Sequence, residues 1–559
     1  MRSNVFKLSA VAATIAASFG AQAAIYKVVE VTAPDSVVQA AAVGGYSTEF
    51  YGTAVVPAVV DSTVNPLGCF DSSYKCNSTT IAAETRNWPE GLSYREEVPF
   101  AMDNGFDYAN YDQDDFESYC SNQLKYAICD TWADEQYAGY EKELIEDTFN
   151  NSIAFIEGGI VFSNTNGVIN ELLSATQAVG NLRSTTDRRN TAKLETTLLL
   201  DPERDSIDGS SSGDVEQTLA FASDGTMTVG SVSRKIETSS GDWDYYSRPV
   251  IWNGSEIVVL GFGQSGSKES SDELGQGSIR DFYVDSSKFY GVGYNTYKDQ
   301  RMDATIFTGN ADLSGTIVSK QVSGATSGDD YIYSNSVVSS INQNRVAVGS
   351  AKRAGNKPAD GSANNRLFYV EDVASPTATY FSDSVFFNSA GGTIGAINNF
   401  NEVVGSVDLT SARELDGSPR PKRGFINPLN VSEGTQPERR QLFENRSWLL
   451  DDLTNDGIAT SNNNNFRILD ASDINDAGVI SATALKCEGG YDSTDIDSYC
   501  QSGAIGSETV VAVKLIPIAD AASSDIQTRG FRTTKVEREG GSLGWFALGL
   551  LALLGFRRK

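Results

Sequence analysis

The stretch Ile397-Asn-Asn-Phe-Asn-Glu-Val-Val-Gly405 is the clearest copy of a phrase that recurs along this chain. The phrase consists of an apolar residue, Asn or Asp, a turn, and small apolar residues that end in Gly. The other copies are Ala222-Ser-Asp-Gly-Thr-Met-Thr-Val-Gly230, Phe289-Tyr-Gly-Val-Gly293, Ile341-Asn-Gln-Asn-Arg-Val-Ala-Val-Gly349 and Ile474-Asn-Asp-Ala-Gly-Val-Ile-Ser481. Since Asn, Asp and Gly favour tight turns and valines favour strands, each copy predicts a turn followed by a β-strand.

A second, aromatic phrase follows several copies after a polar loop, and we interpret it as the partner strand. It reads Arg248-Pro-Val-Ile-Trp252, Ala304-Thr-Ile-Phe307, Arg366-Leu-Phe-Tyr-Val370 and Arg423-Gly-Phe-Ile426. Gly230, Gly293, Gly349 and Gly405 are separated by 63, 56 and 56 residues. A single hairpin cannot bury its apolar face, and a unit of this length holds four short strands with their loops. The sequence therefore predicts an all-β fold, a β-propeller of about six or seven blades.

These phrases resemble the HAF repeat of probable extracellular repeat proteins. In that repeat an Ile-Asn-x-x-Gly-x-Val-Val-Gly turn and strand precede an aromatic strand introduced by His-Ala-Phe. The resemblance covers roughly residues 215–517, is best between Trp448 and Pro517, and has a weaker echo at 25–45. The chain departs from the pattern because it has no histidine and often replaces the glycine after Asn-x-x. The resemblance implies a repeat fold and an exported location, and it implies no reaction.

The N-terminus, residues 1–23, has the three parts of a signal peptide. Arg2 and Lys7 form a basic start, Leu8 to Phe19 form an apolar core, and Ala21-Gln22-Ala23 is a small-x-small cleavage site. Signal peptidase would then cut after Ala23 and leave Ala24 as the first mature residue. The alternative interpretation of the same pattern is a buried N-terminal helix.

The last twenty residues, 540–559, resemble the GlyGly-CTERM sorting signal. Gly540-Gly541-Ser542-Leu543-Gly544 precedes an apolar run that ends at Phe556, and Arg557-Arg558-Lys559 closes the chain. The resemblance implies a transient inner-membrane anchor, cleavage near Gly540–Gly544 by a rhombosortase-type intramembrane protease, and type II secretion to the cell surface. An uncleaved anchor is the alternative. With the sorting tail and repeats together, the chain resembles an uncharacterised family of gammaproteobacterial envelope proteins.

The six cysteines fall in three isolated pairs, namely Cys69 with Cys76, Cys120 with Cys129, and Cys487 with Cys500. An even count in an exported chain predicts disulfides, and nearest-neighbour pairing is the simplest arrangement. A zinc site is the alternative, but no spacing is C-x₂-C. Four of these cysteines lie in residues 65–150, which we interpret as a disulfide-stapled, partly helical insertion, with Ala133, Tyr137, Tyr140 and Leu144 on one helix face. This insertion is either a partner-binding cap or a surface loop.

Composition excludes several classes of function. The chain has 559 residues, no histidine, and 73 acidic against 44 basic residues, giving a net charge of −29. Without histidine there is no Ser-His-Asp triad, Cys-His dyad or histidine metal site. An acidic surface repels phosphate backbones, so we expect no nucleic-acid partner. Removing both terminal signals would take away five positive charges and leave −34.

Three motifs invite a chemical interpretation. Gly261-Phe-Gly-Gln-Ser-Gly266 spells G-x-G-x-x-G, but a polar run follows it and we interpret it as a loop. Asp452-Leu-Thr-Asn-Asp456-Gly457 resembles half of a calcium loop, but Asn463 stands where a bidentate acid is required. Binding of calcium at irregular sites on the acidic surface is an alternative that the sequence leaves open, and we expect no other cofactor. Paired carboxylates could support glycoside hydrolysis, although no pair can be selected from the sequence.

The predicted organisation is a signal peptide (1–23), first propeller strands (24–64), an insertion (65–150), propeller repeats (151–518), a flexible stalk (519–539) and a sorting signal (540–559). The expected function is a non-enzymatic binding or structural role at the cell envelope, with a surface glycan or protein as ligand. A carboxylate-dependent carbohydrate hydrolase or lyase on the same scaffold is the alternative.

Overall fold

Each copy of the repeated phrase forms the first hairpin of a four-stranded antiparallel sheet in the computed structural model. Seven such sheets are present, so the predicted propeller is confirmed and has seven blades. The aromatic phrase is the third strand of its blade, because Gly405 pairs with Phe425 and Gly349 with Phe368. The structure describes residues 24–41, 48–76, 79–86, 112–145, 152–163, 166–183, 191–199, 214–237, 243–254, 256–263, 275–298, 301–328, 335–413, 419–504 and 507–532.

Within blades 1 to 6 the strands follow the chain from the innermost to the outermost position. Blades 1 to 3 are β2–β5 (Glu49–Val55, Ile81–Arg86, Ala154–Ile156, Ile160–Val161), β6–β9 (Val168–Leu172, Ala178–Leu182, Thr191–Leu194, Thr197–Leu199) and β10–β13 (Asp214–Ser223, Met227–Glu237, Trp243–Asn253, Glu256–Val259). Blades 4 to 6 are β14–β17 (Gly277–Val284, Lys288–Lys298, Arg301–Asn310, Val318–Gln321), β18–β21 (Ser336–Ile341, Ala347–Lys352, Asn365–Val370, Ala378–Tyr380) and β22–β25 (Gly392–Ile397, Glu402–Asp408, Lys422–Pro428, Trp448–Leu449).

Blade 7 joins the two ends of the chain. Its first three strands are β26–β28 (Phe466–Ile474, Ile480–Cys487, Glu508–Pro517), and its fourth is the N-terminal β1 (Tyr26–Glu30). Val28 pairs with Leu515 in an antiparallel register. The innermost strands contact one another in cyclic order from β2 to β26 and back to β2, which closes the ring.

The repeated phrase requires its glycine because the neighbouring strand approaches it closely, and not because of the glycine's own backbone angles. In blades 2 to 6 a β-bulge in the innermost strand faces this glycine on the second strand. A Cβ at Gly405 would lie 2.1 Å from the carbonyl oxygen of Thr393, and one at Gly293 would lie 2.0 Å from that of Ser278. In blades 2 to 6 no side chain fits there unless the bulged strand shifts, whereas the corresponding bulges of blades 1 and 7 face Ala83 and Ala482.

The asparagine of the phrase links neighbouring blades at the face that carries the turns between first and second strands, here named the lower face. Asn342 donates from Nδ2 to the carbonyl of Asn398, Asn398 to that of Asn475, and Asn475 to that of Val56. Each Oδ1 also accepts main-chain N–H groups of its own turn, such as Glu402 N on Asn398 at 3.0 Å. This asparagine ladder ties blades 5, 6, 7 and 1 together.

One turn position requires a left-handed backbone, and different residues fill it. Gly478 holds it with φ of 87°, while Arg345 and Asn401 hold it with φ of 63° and 60°. Asn adopts this conformation more readily than most residues, which accounts for part of the degeneracy of the repeat.

The helices lie outside the blades. They are α1 (Asp35–Ala41), α2 (Gln113–Tyr119), α3 (Asp130–Ile145), α4 (Pro437–Leu442) and α5 (Leu450–Leu453). α2, α3 and the π-helical turn Cys120–Leu124 between them belong to the insertion, which connects β3 to β4. The insertion has its own core, in which Phe116, Trp132 and Ala133 are buried beside the Cys120–Cys129 disulfide.

Residues 518–532 pack against blade 7, although the segment 519–539 reads as a flexible stalk in the sequence. We name Ile518–Arg532 the C-terminal strap. Arg529 is only 7% exposed and donates to the carbonyl of Asp451 and to Asn464 Oδ1, and its own N–H donates to Asp452. The physical reason is one buried arginine whose main-chain N–H, Nε and one terminal nitrogen are hydrogen-bonded to the ring, which polar composition does not reveal. Residues 533–539 lie outside the described residues.

Candidate functional site

Three carboxylates from different blades line the central axis of the ring. Glu171, Asp281 and Asp473 each follow a bulge in an innermost strand, on β6, β14 and β26. An innermost strand is an edge strand, so its axis-facing N–H groups have no partner within the sheet. Each acid accepts such an N–H from the next blade, namely Ser223 N on Glu171 (2.7 Å), Ile341 N on Asp281 (2.9 Å) and Val55 N on Asp473 (2.8 Å).

The axial environment favours the protonated form of these acids. Burial raises the pKa of Asp281 and of Asp473 to about 6, against the opposing hydrogen bonds from the neighbouring strands. Burial raises the pKa of Glu171 well above its usual range, and the negative charges of Asp281, Asp473 and Asp224 add to this. The three side chains thus interact electrostatically, and carboxyl groups with raised pKa values can exchange protons with a ligand.

The same hydrogen bonds give the axial acids a structural task. The residues just before the three N–H donors on the next blades are small, namely Ala222, Ser340 and Ala54, and Ser340 Oγ donates a second bond to Asp281 at 2.8 Å. These hydrogen bonds therefore join blade 2 to blade 3, blade 4 to blade 5, and blade 7 to blade 1. Across the described ranges, no group of three or more acidic or cysteine side chains has a geometry that could hold a metal ion.

The opposite end of the ring, which carries the connections between second and third strands, is here named the upper face. Its loops on blades 5 and 6 are held by Arg420, which donates to the carbonyls of Ser389, Ala412 and Asp360. Arg420 also lies 3.5 Å from the buried Asp408, which accepts Asn364 Nδ2 and Gly391 N. These contacts make this part of the upper face a fixed platform.

The insertion reaches across the upper face. It leaves blade 1 after β3, and its Leu124 carbonyl accepts the N–H of Ala363 in the upper loop of blade 5 at 2.9 Å. Blades 1 and 5 are three steps apart around the ring, so the insertion does not stay over its own blade. Within residues 112–145 the sequence has nine acidic residues and two lysines, which makes this cover strongly anionic.

The cysteine predictions are confirmed as three nearest-neighbour disulfides, and no free cysteine remains among the described residues. Cys69–Cys76 fixes the lower loop of blade 1, and Cys487–Cys500 fixes the upper loop of blade 7. Cys69–Cys76 closes a turn within its loop, Cys487–Cys500 joins its loop to the end of β27, and Cys120–Cys129 links the two ends of the segment between α2 and α3.

The other sequence-predicted positions are dispersed. Of the signal-cleavage residues, Ala24 is buried beside blade 7, whereas Ala21 and Ala23 lie outside the described residues, as do Gly540, Gly541, Ser542 and Gly544. In the half calcium loop, Asp452 accepts Arg529 N and Asp456 accepts Ile458 N and Ser461 Oγ. No described helix is long and apolar enough to cross a bilayer.

Sequence reasoning did not select the axial acids. A signal was present, because each is a charged residue two positions after an apolar or small residue in an inner strand: Ile169-Asn-Glu171, Ile279-Arg-Asp281 and Ala471-Ser-Asp473. Their convergence depends on the ring, which brings residues 171, 281 and 473 to one axis, and no local spacing encodes that.

No curated protein matches the chain. Among solved structures, a glycoside hydrolase is similar at 8% identity and a TM-score of 0.23, covering 56% of this chain and 89% of its own. A β-xylosidase is similar at 7% identity and a TM-score of 0.24, covering 69% of this chain and 94% of its own. The α-L-arabinanase of Penicillium chrysogenum, complexed with arabinobiose, is similar at 9% identity and a TM-score of 0.23, covering 61% of this chain and 89% of its own. At these scores the likenesses carry no argument about activity. Residues 280–559, half of the chain, match the family described as "Protein of unknown function (DUF3466)", and the protein belongs to that family.

Proposed function

We propose that this protein is an exported, non-enzymatic interaction module of the bacterial envelope. Signal peptidase would remove residues 1–23, and a rhombosortase-type protease would cut near Gly540–Gly544 after transient anchoring. Type II secretion would then deliver the propeller to the surface or the medium. Three disulfides support this route, because such bonds persist in oxidising compartments outside the cytoplasm.

The upper face is the proposed binding face, and the insertion carries this proposal. A helical cover with its own core and disulfide spans from blade 1 to blade 5, while the arginine-held loops beneath it are fixed. Its anionic surface favours a ligand with cationic groups, on a surface glycan, a matrix component or a partner protein.

The route is tested by the intact mass and the location of the native protein. We expect a species that begins at Ala24, ends within Gly540–Gly544, and is found at the surface or in the medium. Changing Gly540 and Gly541 to alanine should retain the tail in the inner membrane. A full-length tail in the wild type, unaffected by that change, would contradict the sorting proposal.

The binding face is tested with two matched triple variants that remove the same charge. The first neutralises exposed acids of the insertion (Asp114→Asn, Glu117→Gln, Glu135→Gln), and the second neutralises acids of the lower-face turns, of which Asp285 is half-buried (Asp61→Asn, Asp285→Asn, Asp312→Asn). On arrays of amino-sugar glycans and basic peptides, the first variant should lose at least tenfold in affinity and the second little. Equal losses would indicate a nonspecific charge effect.

A carbohydrate hydrolase is the second candidate, and the axial acids favour it. Neighbouring carboxyl groups with raised pKa values are the kind of groups that glycoside hydrolysis requires. If the protein cleaves polysaccharide, Glu171→Gln should abolish release of reducing ends, whereas exposed Glu488→Gln should not. Absence of any release across neutral and acidic polysaccharides would count against this candidate.

A further inference from the structure

The first residues after the predicted signal-peptide cut are built into the ring without any linker. Ala24 is 1% exposed and Ile25 is 0% exposed. Ile25 uses both of its main-chain groups, because its N–H donates to the carbonyl of Leu453 at 3.0 Å and its carbonyl accepts Ile518 N at 2.8 Å. The strand β1 starts at the next residue, Tyr26.

The outer edge of β1 is covered once it is in place. Asn463 accepts Val28 N on its Oδ1 at 3.0 Å and donates from Nδ2 to the carbonyl of Tyr26 at 2.9 Å. The ring of Tyr26 is buried and meets Phe70 edge-on at 5.5 Å. β1 is therefore enclosed between β28 on one side and the loop before β26 on the other.

We propose that removal of the signal peptide is the step that permits blade 7 to close, so that the freed N-terminus completes the ring last. The proposal rests on the export route proposed above. In the cleavage step, water hydrolyses the amide between Ala23 and Ala24, and it leaves a carboxylate on Ala23 and an amino group on Ala24.

Access to the cleaved bond gives the first argument. A peptidase binds the chain in an extended form on both sides of the bond it cuts, and proteolysis takes place in accessible segments. In the closed ring Ile25, two residues past the bond, is buried and hydrogen-bonded on both sides. Only four residues separate Phe19, the end of the apolar core, from Ala24, a reach of about 17 Å when fully extended. Cleavage at the membrane and a docked β1 therefore exclude each other.

Topology gives a second, independent argument. Every other strand pairing in the described blades joins consecutive strands of the chain, whereas Val28 pairs with Leu515 at the far end. The loop closed by this pairing is by far the longest, so its entropic cost is the highest and it forms after the local pairings. A delay until the end of export is thus compatible with folding of the other blades.

The test compares three full-length proteins in the native host. They are the wild type, a variant blocked in cleavage by Ala21→Leu and Ala23→Leu, and the blocked variant with a 12-residue Gly-Ser linker between residues 23 and 24. The readout is the rate of trypsin cleavage after Lys514 and Arg529, both buried when blade 7 is closed, applied from the periplasmic side.

We expect the blocked variant to be cut at these sites at least tenfold faster than the wild type, and the linker to restore resistance. The linker variant carries the same leucines, so it separates tethering from any effect of the substitutions. A blocked variant as resistant as the cleaved wild type, or a linker that restores nothing, would overturn this proposal alone. A wild type that retains residues 1–23 and resists trypsin would overturn both this proposal and the export route.

Discussion

At the scale of single residues, a few backbone approaches determine which amino acids the repeat tolerates. The glycine that ends the phrase faces a bulged strand whose carbonyl occupies the place of a Cβ. The turn asparagine is different, because its side chain makes the contacts itself. The phrase thus requires glycine because it has no side chain, and asparagine because its side chain reaches the next blade.

Gly405→Ala should destabilise blade 6, because the new methyl group would lie 2.1 Å from the carbonyl oxygen of Thr393. Overpacking of this kind costs about 3 kcal/mol. Thermal unfolding should show a clear fall in Tm, while Gly261→Ala, with no atom within 4 Å of the added Cβ, should leave Tm unchanged. Equal Tm values for the two variants would show that the bulge relaxes.

The axial acids predict a pH dependence of stability. The pKa of Asp281 is raised to about 6, so between pH 4 and 6 the folded state binds more protons than the unfolded state. Stability contributed by this group is therefore lost as pH rises through that window. Asp281→Asn keeps an acceptor for Ile341 N, and its Tm relative to wild type should rise from pH 4 to pH 7.

Asp285, in the lower-face turn of blade 4, provides a control of opposite sign. Hydrogen bonds from the N–H groups of Ser287 and Lys288 lower its pKa, so its contribution is present at pH 7 and is lost in acid. The Tm of Asp285→Asn relative to wild type should fall from acid to neutral pH. If both variants change in the same direction, the axial site does not titrate as described.

At the scale of elements, the asparagine ladder makes neighbouring blades depend on each other. The side-chain amides of Asn342, Asn398 and Asn475 all donate in the same direction around the ring, each to a main-chain carbonyl of the next blade, so each bond depends on the position of the turn that accepts it. If one of these asparagines is lost, the carbonyl of the next blade loses its side-chain donor. The N–H groups of the asparagine's own turn also lose their side-chain acceptor.

A double-mutant cycle measures this dependence. Asn398→Ala should cost about 2 kcal/mol through its lost turn and inter-blade bonds. The pair Asn342→Ala and Asn398→Ala, adjacent in the ladder, should show a coupling of at least 0.5 kcal/mol in denaturant unfolding. The non-adjacent pair Asn342→Ala and Asn475→Ala is the control and should be close to additive; equal coupling in both pairs would contradict the ladder.

The elements also show how far the sequence could be interpreted. Blades 3 to 7 follow from the repeated phrase, because turn chemistry and strand alternation are local. Blade 2 has the glycine, Gly180, but its turn from Leu173 to Gln177 lacks the Asn, and blade 1 has Ala83 in place of the glycine. The strap and the axial acids depend on contacts between residues far apart in the chain, which no local pattern contains.

At the scale of the whole molecule, one buried ion pair joins three blades. Arg439 in α4 donates to both carboxylate oxygens of Glu402 and to the carbonyls of Asp476 and Leu67, and its guanidinium lies 4.6 Å from the centre of the Phe400 ring. Both charged side chains are 1% exposed. Blade 6 thus contacts the lower turn of blade 7 and the disulfide loop of blade 1 through a single side chain.

Arg439→Leu should lower stability by about 3 kcal/mol or more, because it leaves the Glu402 carboxylate buried without its partner. The double variant with Glu402→Gln should recover part of this loss, since a neutral amide is less costly to bury. Arg446→Leu, which breaks the exposed pair with Glu444, is the control and should change Tm little. If the double variant recovers no stability, the loss in Arg439→Leu comes from lost packing and not from the unpaired Glu402 carboxylate.

The C-terminal strap has a mechanical consequence. Among the residues that the structure describes, Arg529 is the last buried side chain, and its bonds to Asp451 and Asn464 lie outside the four strands of blade 7. Tension applied through a membrane-held tail would reach these bonds before it reaches β28. The strap would yield first and lengthen the tether by up to about 50 Å, while the ring itself stays closed under load.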